Sequence, residues 1–296
     1  MTRLLGVIGH PVAHSLSPAM HAAALRALRV DGVYTAIDVP PAFLRPVVRA
    51  LMLAGVEGLN VTVPLKERAL HLADQLDPAA RAIGAVNTLV IRRGKLLGYN
   101  TDAEGFRRAL IEDTGADLRG GRVLLLGAGG AARAAAWALA GMGVQTLWIM
   151  NRTRPRAQSL ARWVVRAAPR RAGRRLECVV VPYAGRRAAA GLLAQADAVI
   201  NATSLGMRAG DPSPIRLKGV RRGTVVYDLI YHRETALVRE ARRRGCVAAT
   251  GASMLLYQGA ESLRLWLRRP PPTGAMRHAL QQALWGQAPG GMTTGR

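Results

Sequence analysis

The chain has 296 residues, half of them hydrophobic, and its 42 Lys and Arg against 18 Asp and Glu give a formal net charge of +24. This length allows two domains with a sizeable core. No apolar run reaches the 18 residues of a spanning helix, and the first residues lack a signal-peptide pattern, so we expect neither a membrane protein nor a secreted one.

The positive charge would suit a nucleic-acid-binding protein, but the distribution of the basic residues argues against that class. Nearly all are arginines in short scattered clusters, and Lys66, Lys95 and Lys218 are the only lysines. Few aromatic residues lie among them to stack on bases. We expect non-specific polyanion binding at low salt and no nucleic-acid function. The two distant cysteines form no disulfide framework or zinc site, which fits a reducing cytoplasm.

The first 100 residues alternate short strands and helices. The predicted strands are 4–9, 33–38, 58–63 and a hairpin of 88–92 with 95–99, and the predicted helices are 18–28, 42–54 and 65–72. Ser17 is expected to cap the first helix, with Pro18 at its first position.

A helix from residue 103 to about 112 leads into a second α/β region. Its predicted strands are 123–126, 144–150, 178–182, 198–201 and 224–228, and from residue 235 the pattern is helical to about 284. One of these helices is expected to follow Gly251, with Ser253 as its cap. The Gly/Pro/Thr-rich tail, 286–296, is expected to be disordered.

The second region opens with a glycine-rich turn between a buried strand and an alanine-rich helix. Gly127, Gly129 and Ala132 form the dinucleotide fingerprint in its Gly/Gly/Ala form. Gly127 allows the tight turn, and Gly129 lets the backbone approach a pyrophosphate on the helix N-terminus. Such turns are common, so the motif alone also fits a purely structural role.

The next strand of this region indicates which dinucleotide is bound. An NAD site has Asp or Glu about 20 residues past the turn, on the ribose 2′-hydroxyl. This chain instead has Asn151-Arg152-Thr153-Arg154-Pro155-Arg156. Guanidinium groups bind a 2′-phosphate well, so we expect NADP. The alternative is a solvated basic loop.

Three motifs in the first region carry polar groups suited to a small anionic substrate. Ser15 and Ser17 place two hydroxyls at a helix start, which suits a carboxylate, although a simple cap is an alternative. Lys66 follows the strand of Asn60 and Thr62, and a lysine, unlike arginine, can give up its proton readily. Asn87 and Asp102 lie further on; if Asp102 is near Lys66, it orients the ammonium group.

In this order the motifs resemble those of the shikimate dehydrogenase family along nearly the whole chain. The matching segments are 15–17, 60–66, 84–88, 100–105, 127–131, 151–153, 201–207, 228–231 and 251–259. The resemblance implies an α/β fold with a substrate-binding and catalytic domain at 1–102 and a Rossmann-type cofactor domain with a doubly wound parallel sheet at 103–236. The helices of 237–285 would return to the first domain.

The resemblance also implies NADPH-dependent, reversible reduction of 3-dehydroshikimate to shikimate. Lys66 and Asp102 would be the catalytic pair. The substrate would be bound by Ser15, Ser17, Asn60, Thr62, Asn87, Tyr231 and Gln258. NADP(H) would be bound by Gly127, Ala128, Gly129, Gly130, Ala131, Asn151, Arg152, Thr153, Arg156, Thr203, Ser204, Met207, Leu229 and Gly251. No metal is expected, and the protein partner allowed for is a second copy in a homodimer.

The chain departs from the family pattern at a few positions. Arg233 stands where the family often has proline, and Ser262-Leu263 stands where it has Ala-Phe. Neither departure touches the expected chemistry. The alternatives are a quinate dehydrogenase or an enzyme of dual specificity, a non-catalytic NADP-sensing module and an arginine-rich nucleic-acid binder. Arg152-Thr153 disfavours NAD-linked quinate use, and the presence of both Lys66 and Asp102 disfavours a sensor.

Overall fold

Two six-stranded sheets and eleven helices make up the part of the chain that the computed structural model describes, residues 2–167, 176–183 and 190–286. The elements in chain order are β1 (Arg3–Gly9), α1 (Ser17–Ala27), β2 (Gly32–Asp38), a 3₁₀ turn (Pro41–Phe43), α2 (Leu44–Leu53), β3 (Val56–Val61), α3 (Lys66–Leu70), β4 (Gln75–Leu76), α4 (Pro78–Ile83), β5 (Thr88–Arg92), β6 (Lys95–Tyr99), α5 (Asp102–Thr114), β7 (Arg122–Leu126), α6 (Gly130–Met142), β8 (Thr146–Met150), α7 (Arg154–Ala167), β9 (Glu177–Val181), α8 (Ala190–Leu193), β10 (Ala198–Asn201), β11 (Val225–Asp228), α9 (Ala236–Arg243), β12 (Val247–Thr250), α10 (Ala252–Leu267) and α11 (Thr273–Trp285). The predicted disordered tail lies, from residue 287, outside the described residues.

The first sheet is mixed and has the strand order β2-β1-β3-β5-β6-β4. Strands β1, β2 and β3 run parallel, and β5 runs antiparallel to β3 and β6. The hairpin of β5 and β6 turns at Arg93 and Gly94, both with positive φ, as the sequence predicts. A helix follows each of β1 and β2 in the chain. After β3, a short turn leads to Lys66 at the start of α3.

The second sheet is entirely parallel and has the order β12-β11-β10-β7-β8-β9. Counted from β7, this is the strand order of a dinucleotide-binding fold, 6-5-4-1-2-3. The order reverses between β7 and β10, and a crevice forms at such a switch point outside the carboxyl ends of the strands. The predicted fold class is confirmed.

Helices α5 and α10 join the two sheets. One cluster of buried apolar residues includes Leu5 of β1, Phe106 of α5, Leu125 of β7 and Leu263 of α10, so the sheets share a continuous core. Helix α10 covers the first sheet, where the Trp266 Nε1 donates to the Leu89 carbonyl at 3.0 Å. The Trp266 ring lies against Gly58, where no side chain would fit.

Two predicted helix caps are wrong. Leu16 already has helical backbone angles, so α1 begins at Ser17, whose side chain makes no capping bond. The Ser15 Oγ instead accepts from the Ser17 backbone N at 3.3 Å. Ser253 lies inside α10, and its Oγ donates to the Asp113 carboxylate at 2.7 Å.

The predicted elements miss several short segments. Helix α4 was not predicted, and residues 154–156, taken as a possible loop, begin α7. The region after residue 235 contains β12, which pairs with β11. Strand β12 completes the second sheet, while α10 and α11 contact elements of the first region; the domain boundaries stay a prediction.

Gly105 allows the close approach of α5 and α10, and this makes a testable prediction. A Cβ at Gly105 would lie 2.7 Å from the Gln258 backbone N, whereas a Cβ at Gly141 of α6 would meet nothing within 4 Å. We expect Gly105→Ala to lower the free energy of unfolding by about 1–3 kcal/mol through overpacking. Gly141→Ala should raise it by about 0.5–1 kcal/mol, the ordinary gain of alanine in a helix. Urea unfolding of the two variants measures this, and shifts of equal sign would contradict it.

Asp228 is a fully buried carboxylate at the end of β11. Its oxygens accept from the Asn201 Nδ2 at 2.9 Å, the Ile230 N at 3.1 Å and the Thr235 Oγ1 at 2.7 Å. Burial raises the pKa of Asp228 to about 6 despite these bonds. The network ties the ends of β10 and β11 to the start of α9.

The raised pKa of Asp228 predicts a pH-dependent stability. The folded state holds the proton more tightly than the unfolded one, so this contribution is present at low pH and is lost as the pH rises through about 6. We expect Asp228→Asn to gain up to about 3 kcal/mol relative to the wild type between about pH 4 and pH 7. Urea unfolding of both proteins across this range measures the difference in their free energies of unfolding. The contributions of the other titrating groups are common to both proteins and cancel in this difference. A difference that is independent of pH would show that the pKa of Asp228 is the same in the folded and unfolded states.

Candidate active site

Lys66 and Asp102 form an ion pair at the edge of the first sheet. The Lys66 Nζ donates to the Asp102 Oδ2 at 2.6 Å. Lys66 begins α3 after the turn that follows β3, and Asp102 begins α5 after β6. The side chain of Lys66 is 27% exposed and that of Asp102 is 10% exposed, so the ammonium group remains accessible while the carboxylate is nearly buried.

Asn87 orients the carboxylate of this pair. Its Nδ2 donates to the Asp102 Oδ1 at 2.8 Å and to the Thr101 Oγ1 at 2.9 Å. Its Oδ1 accepts from the Thr101 backbone N at 2.8 Å. Each carboxylate oxygen of Asp102 thus has its own donor, an ammonium on one and an amide on the other.

Gln258 reaches the same place from α10. Its Oε1 lies 3.5 Å from the Asn87 Nδ2, and its Nε2 donates to the Leu255 carbonyl at 2.9 Å. Residues from α3, α5, α10 and the segment before β5 therefore meet at one site. A bound molecule there would find an ammonium and two amides, which suit hydroxyl and carbonyl oxygens.

Asn60, predicted to bind substrate, is turned into the protein. It is 5% exposed, its Nδ2 lies 3.2 Å from the Thr88 Oγ1 and 2.9 Å from the Ser262 Oγ, and its Oδ1 accepts from the Tyr34 hydroxyl at 2.8 Å. These bonds occupy the amide of Asn60 inside the protein, and its contact with a substrate stays a prediction. In the described structure Asn60 supports the residues around Asn87.

Three further residues predicted on the substrate side follow β1 and β3 in the chain. Ser15 and Ser17 flank the start of α1, with Ser15 half-buried and Ser17 buried. Thr62 follows β3, and its backbone N donates to the Ile8 carbonyl of β1 at 2.9 Å. The His10 backbone N donates to the Val63 carbonyl at 3.1 Å, which joins the two loops. Two hydroxyls at the start of a helix suit a carboxylate.

The glycine-rich turn after β7 has the geometry that a dinucleotide requires. Gly127 has φ +106°, and a Cβ there would lie 2.8 Å from the Ala202 carbonyl oxygen of the neighbouring strand end. At Gly129 and Gly130 a Cβ would meet nothing within 4 Å, so Ala128 to Ala131 border open space. No side chain caps α6, which leaves its first N–H groups free for a pyrophosphate.

The basic segment after β8 lies at the neighbouring carboxyl end. Arg152, Thr153 and Arg156 are exposed, and the Asn151 Nδ2 donates to the Thr153 carbonyl at 2.9 Å. Arg156 lies in the first turn of α7. Guanidinium groups beside a helix N-terminus suit a phosphate.

Residues predicted on the nicotinamide side follow β10 and β11. The Asn201 Oδ1 accepts from the Thr203 N at 3.0 Å and from its Oγ1 at 2.7 Å, which shapes the loop that bears the exposed Ser204 and Met207. Leu229 is half-buried, and so is Tyr231, which is predicted to contact the substrate. Gly251 is buried, and a side chain there would meet the Leu229 backbone. This close approach fits packing between chain segments better than contact with a ligand.

The sequence analysis missed two sets of supporting residues. Tyr34, Thr101 and Ser262 lie around Asn60 and Asn87, but Ser262 is 202 residues from Asn60, and no local pattern joins them. The second set connects α4 of the first region with α7 of the second, and α7 with α6. The Trp163 Nε1 donates to the Ala82 carbonyl at 2.7 Å, and the Arg133 guanidinium lies over the Trp163 ring at 4.5 Å.

Across residues 2–167, 176–183 and 190–286, no helix has both the length and the apolarity to cross a membrane. The same residues contain no group of three or more His, Cys, Asp and Glu side chains able to hold a metal ion.

Comparison with known proteins identifies the family. The shikimate dehydrogenase substrate binding domain matches residues 7–89, the shikimate/quinate 5-dehydrogenase family matches 109–206, and the shikimate 5′-dehydrogenase C-terminal domain matches 251–281. The shikimate dehydrogenase (NADP(+)) of Rubrobacter xylanophilus is 49% identical over 94% of this chain and 95% of its own.

Two solved structures share the fold over almost their whole length. Shikimate 5-dehydrogenase from Thermus thermophilus, in complex with NADP(H) and shikimate, has a TM-score of 0.83 and 38% identity, covering 95% of this chain and 100% of that one. Quinate dehydrogenase from Corynebacterium glutamicum, in complex with NAD, has a TM-score of 0.86 and 35% identity, covering 95% and 99%. By its motifs, its strand order and these matches, the chain belongs to the shikimate dehydrogenase family.

Proposed function

We propose that this protein is an NADP-dependent shikimate dehydrogenase, which interconverts shikimate and 3-dehydroshikimate. The observation that carries the proposal is the Lys66–Asp102 pair, 2.6 Å apart and oriented by Asn87. Relatives of 40–49% identity over nearly the full chain are named NADP(+) shikimate dehydrogenases, which supports the same substrate and cofactor.

The reaction needs one proton at the substrate oxygen for each hydride transferred. NADPH supplies the hydride to the carbonyl carbon of 3-dehydroshikimate. Lys66 donates a proton from its Nζ to the carbonyl oxygen, and it takes that proton back in the oxidation direction. Asp102 keeps the ammonium group in place and balances its charge.

The neighbouring polar groups hold the substrate in the proposed complex. Asn87, Gln258 and Thr62 bind its hydroxyls, and Ser15 and Ser17 bind its carboxylate at the start of α1. Tyr231 contributes from the second sheet. This assignment is supported by the contacts among Lys66, Asp102, Asn87 and Gln258 and by the position of both serines in the loop after β1.

The open glycine turn and the basic segment after β8 fit NADP. Gly127 to Ala131 would hold the pyrophosphate, Asn151, Arg152, Thr153 and Arg156 the adenosine phosphate, and Thr203, Ser204, Met207 and Leu229 the nicotinamide side. The absence of an acidic residue in 151–156 supports NADP over NAD.

Quinate oxidation is the second candidate activity, since a quinate dehydrogenase shares the fold with a TM-score of 0.86.

We propose a substrate unit formed by residues 1–102 with α10 and α11, and a cofactor unit formed by 103–250. A homodimer and a cytoplasmic location stay predictions.

The decisive experiment follows the absorbance of the reduced nicotinamide with shikimate or quinate against NADP+ or NAD+. Shikimate with NADP+ should give the highest kcat/KM. Quinate with NAD+ as the best pair would replace the proposed function with the second candidate, and inactivity with all four pairs would refute both.

Replacing Lys66 tests proton transfer. We expect Lys66→Ala to lower kcat by about 10²–10⁴-fold, the range of general acid–base groups. Lys66→Arg should be nearly as impaired, because guanidinium does not release its proton near neutral pH. The KM for NADP+ and the melting temperature should change little.

The matched control is Lys95→Ala, which removes an exposed lysine from β6 and should keep full turnover. If Lys66→Arg retained near-normal kcat, Lys66 would be an electrostatic anchor, and the proton would come from another group.

Replacing Arg152 tests the cofactor preference. We expect Arg152→Asp to raise the KM for NADP+ by about 10- to 100-fold, the loss of a hydrogen bond to a charged group, with a small effect on NAD+. Arg162→Asp makes the same charge change on α7, about 12 Å along the helix from its first residue, and should leave both constants near normal. Equal effects of the two variants would indicate general electrostatics and not a phosphate contact at Arg152.

A further inference from the structure

A buried group of polar side chains lies next to Asn87, on the protein side of the catalytic pair. We call it the hydroxyl hub; it consists of Asn60, Thr88, Thr101 and Ser262, which are 5%, 0%, 2% and 0% exposed. The Ser262 Oγ lies 2.9 Å from the Asn60 Nδ2, 2.8 Å from the Thr88 Oγ1 and 3.3 Å from the Thr101 Oγ1. Ser262 therefore touches every other member of the hub.

The available protons determine the direction of these bonds. The Asn60 Nδ2 can only donate, so the Ser262 Oγ accepts from it. The Ser262 hydroxyl donates its single proton to the Gln258 carbonyl at 2.9 Å. Its second lone pair is then open to the Thr88 or Thr101 hydroxyl. The Ser262 hydroxyl thus has partners for its donor and its acceptor positions. It connects the turn of α10 that carries Gln258 with the residues around Asn87.

The hub fixes which way the Asn87 amide faces. The Thr101 backbone N donates to the Asn87 Oδ1 at 2.8 Å. The Thr88 Oγ1 and Thr101 Oγ1 lie 3.1 Å and 3.2 Å from the same oxygen, and the hydroxyl that does not donate to Ser262 can donate to it. A flipped amide would place its NH2 group against the Thr101 backbone N–H and its oxygen against the Asp102 carboxylate. The observed orientation is the one that donates to the Asp102 Oδ1.

Ser262 lies on α10. The position of Ser262 is determined by the close packing of α10. On one side of it the Gln258 backbone packs against Gly105, and on the other Trp266 donates to the Leu89 carbonyl. The hydroxyl is thus held in the hub by the helix backbone.

We propose that Ser262 is a positioning residue for the proton-transfer pair: through Asn60, Thr88 and Thr101 it holds the Asn87 amide in the orientation that donates to Asp102. The proposal rests on the function proposed above. It assigns no contact with the substrate to Ser262, so the effect of losing its hydroxyl falls on turnover and leaves cofactor binding unchanged.

The test compares Ser262→Ala and Ser262→Cys with Ser253→Ala, measuring kcat, the KM for NADP+ and the melting temperature. Ser253 is a matched control because it is a buried serine on the same helix, bonded to Asp113 and to no hub residue in the described structure. We expect Ser262→Ala to lower kcat about tenfold, the equivalent of one lost hydrogen bond, with an unchanged KM for NADP+. Ser262→Cys should lie between alanine and the wild type, because a thiol bonds weakly. Ser253→Ala should keep kcat within about twofold, even where its melting temperature falls.

Two results would overturn the proposal: a kcat for Ser262→Ala within twofold of the wild type, or equal losses of kcat in Ser262→Ala and Ser253→Ala at equal losses of melting temperature. If Ser262→Ala does not fold, Ser262→Cys decides by the same comparison. A wild-type protein that does not oxidise shikimate would refute the proposed function and this inference together. An active wild type with an unaffected Ser262→Ala would refute the inference alone.

Discussion

The close contact of α5 with α10 is the constraint on which the rest of the structure depends. Gly105 has no side chain, and the Gln258 backbone occupies the space where one would lie. At the start of α5 this contact brings Asp102 beside Gln258. At its end, Asp113 accepts from Ser253 of α10 and lies 3.4 Å from the Tyr227 hydroxyl of β11. One helix pair thus positions the proposed catalytic carboxylate and holds the second sheet against the first.

The buried polar groups around the site are expensive in isolation but almost fully hydrogen-bonded. Asn60, Asn87, Thr88 and Thr101 satisfy one another, so the cost of their burial is offset inside the protein. His21 differs, because neither ring nitrogen has a partner among the described residues. Burial lowers the pKa of His21 to about 3, and the neutral ring stacks on Tyr34 with centroids 4.2 Å apart. It acts as an aromatic packing residue and not as an acid or a metal ligand.

Much of the fold follows from local sequence signals. The β5–β6 hairpin, the turn at Gly127 and most strands of the second sheet are recognisable because apolar runs and glycines mark them locally. Strand β12 is not, since Val247–Thr250 is a four-residue segment that is half alanine, and its pairing with β11 makes it a strand. The cap at Ser17 fails because the backbone turns into the helix one residue early. Asn60 and Ser262 show the larger limit: their roles depend on contacts across 202 residues, which no spacing rule contains.

The dependence of the first sheet on α10 also has a consequence for the order in which the chain assembles. Strands β3 and β5 leave the ribosome long before residues 252–267. Until that helix docks, Gly58 and its neighbours lack the cover of the Trp266 ring, and the Asn60 amide and Thr88 hydroxyl lack Ser262. The proposed catalytic site is therefore completed only after α10 has been synthesised, when this later helix closes over strands that were made well before it.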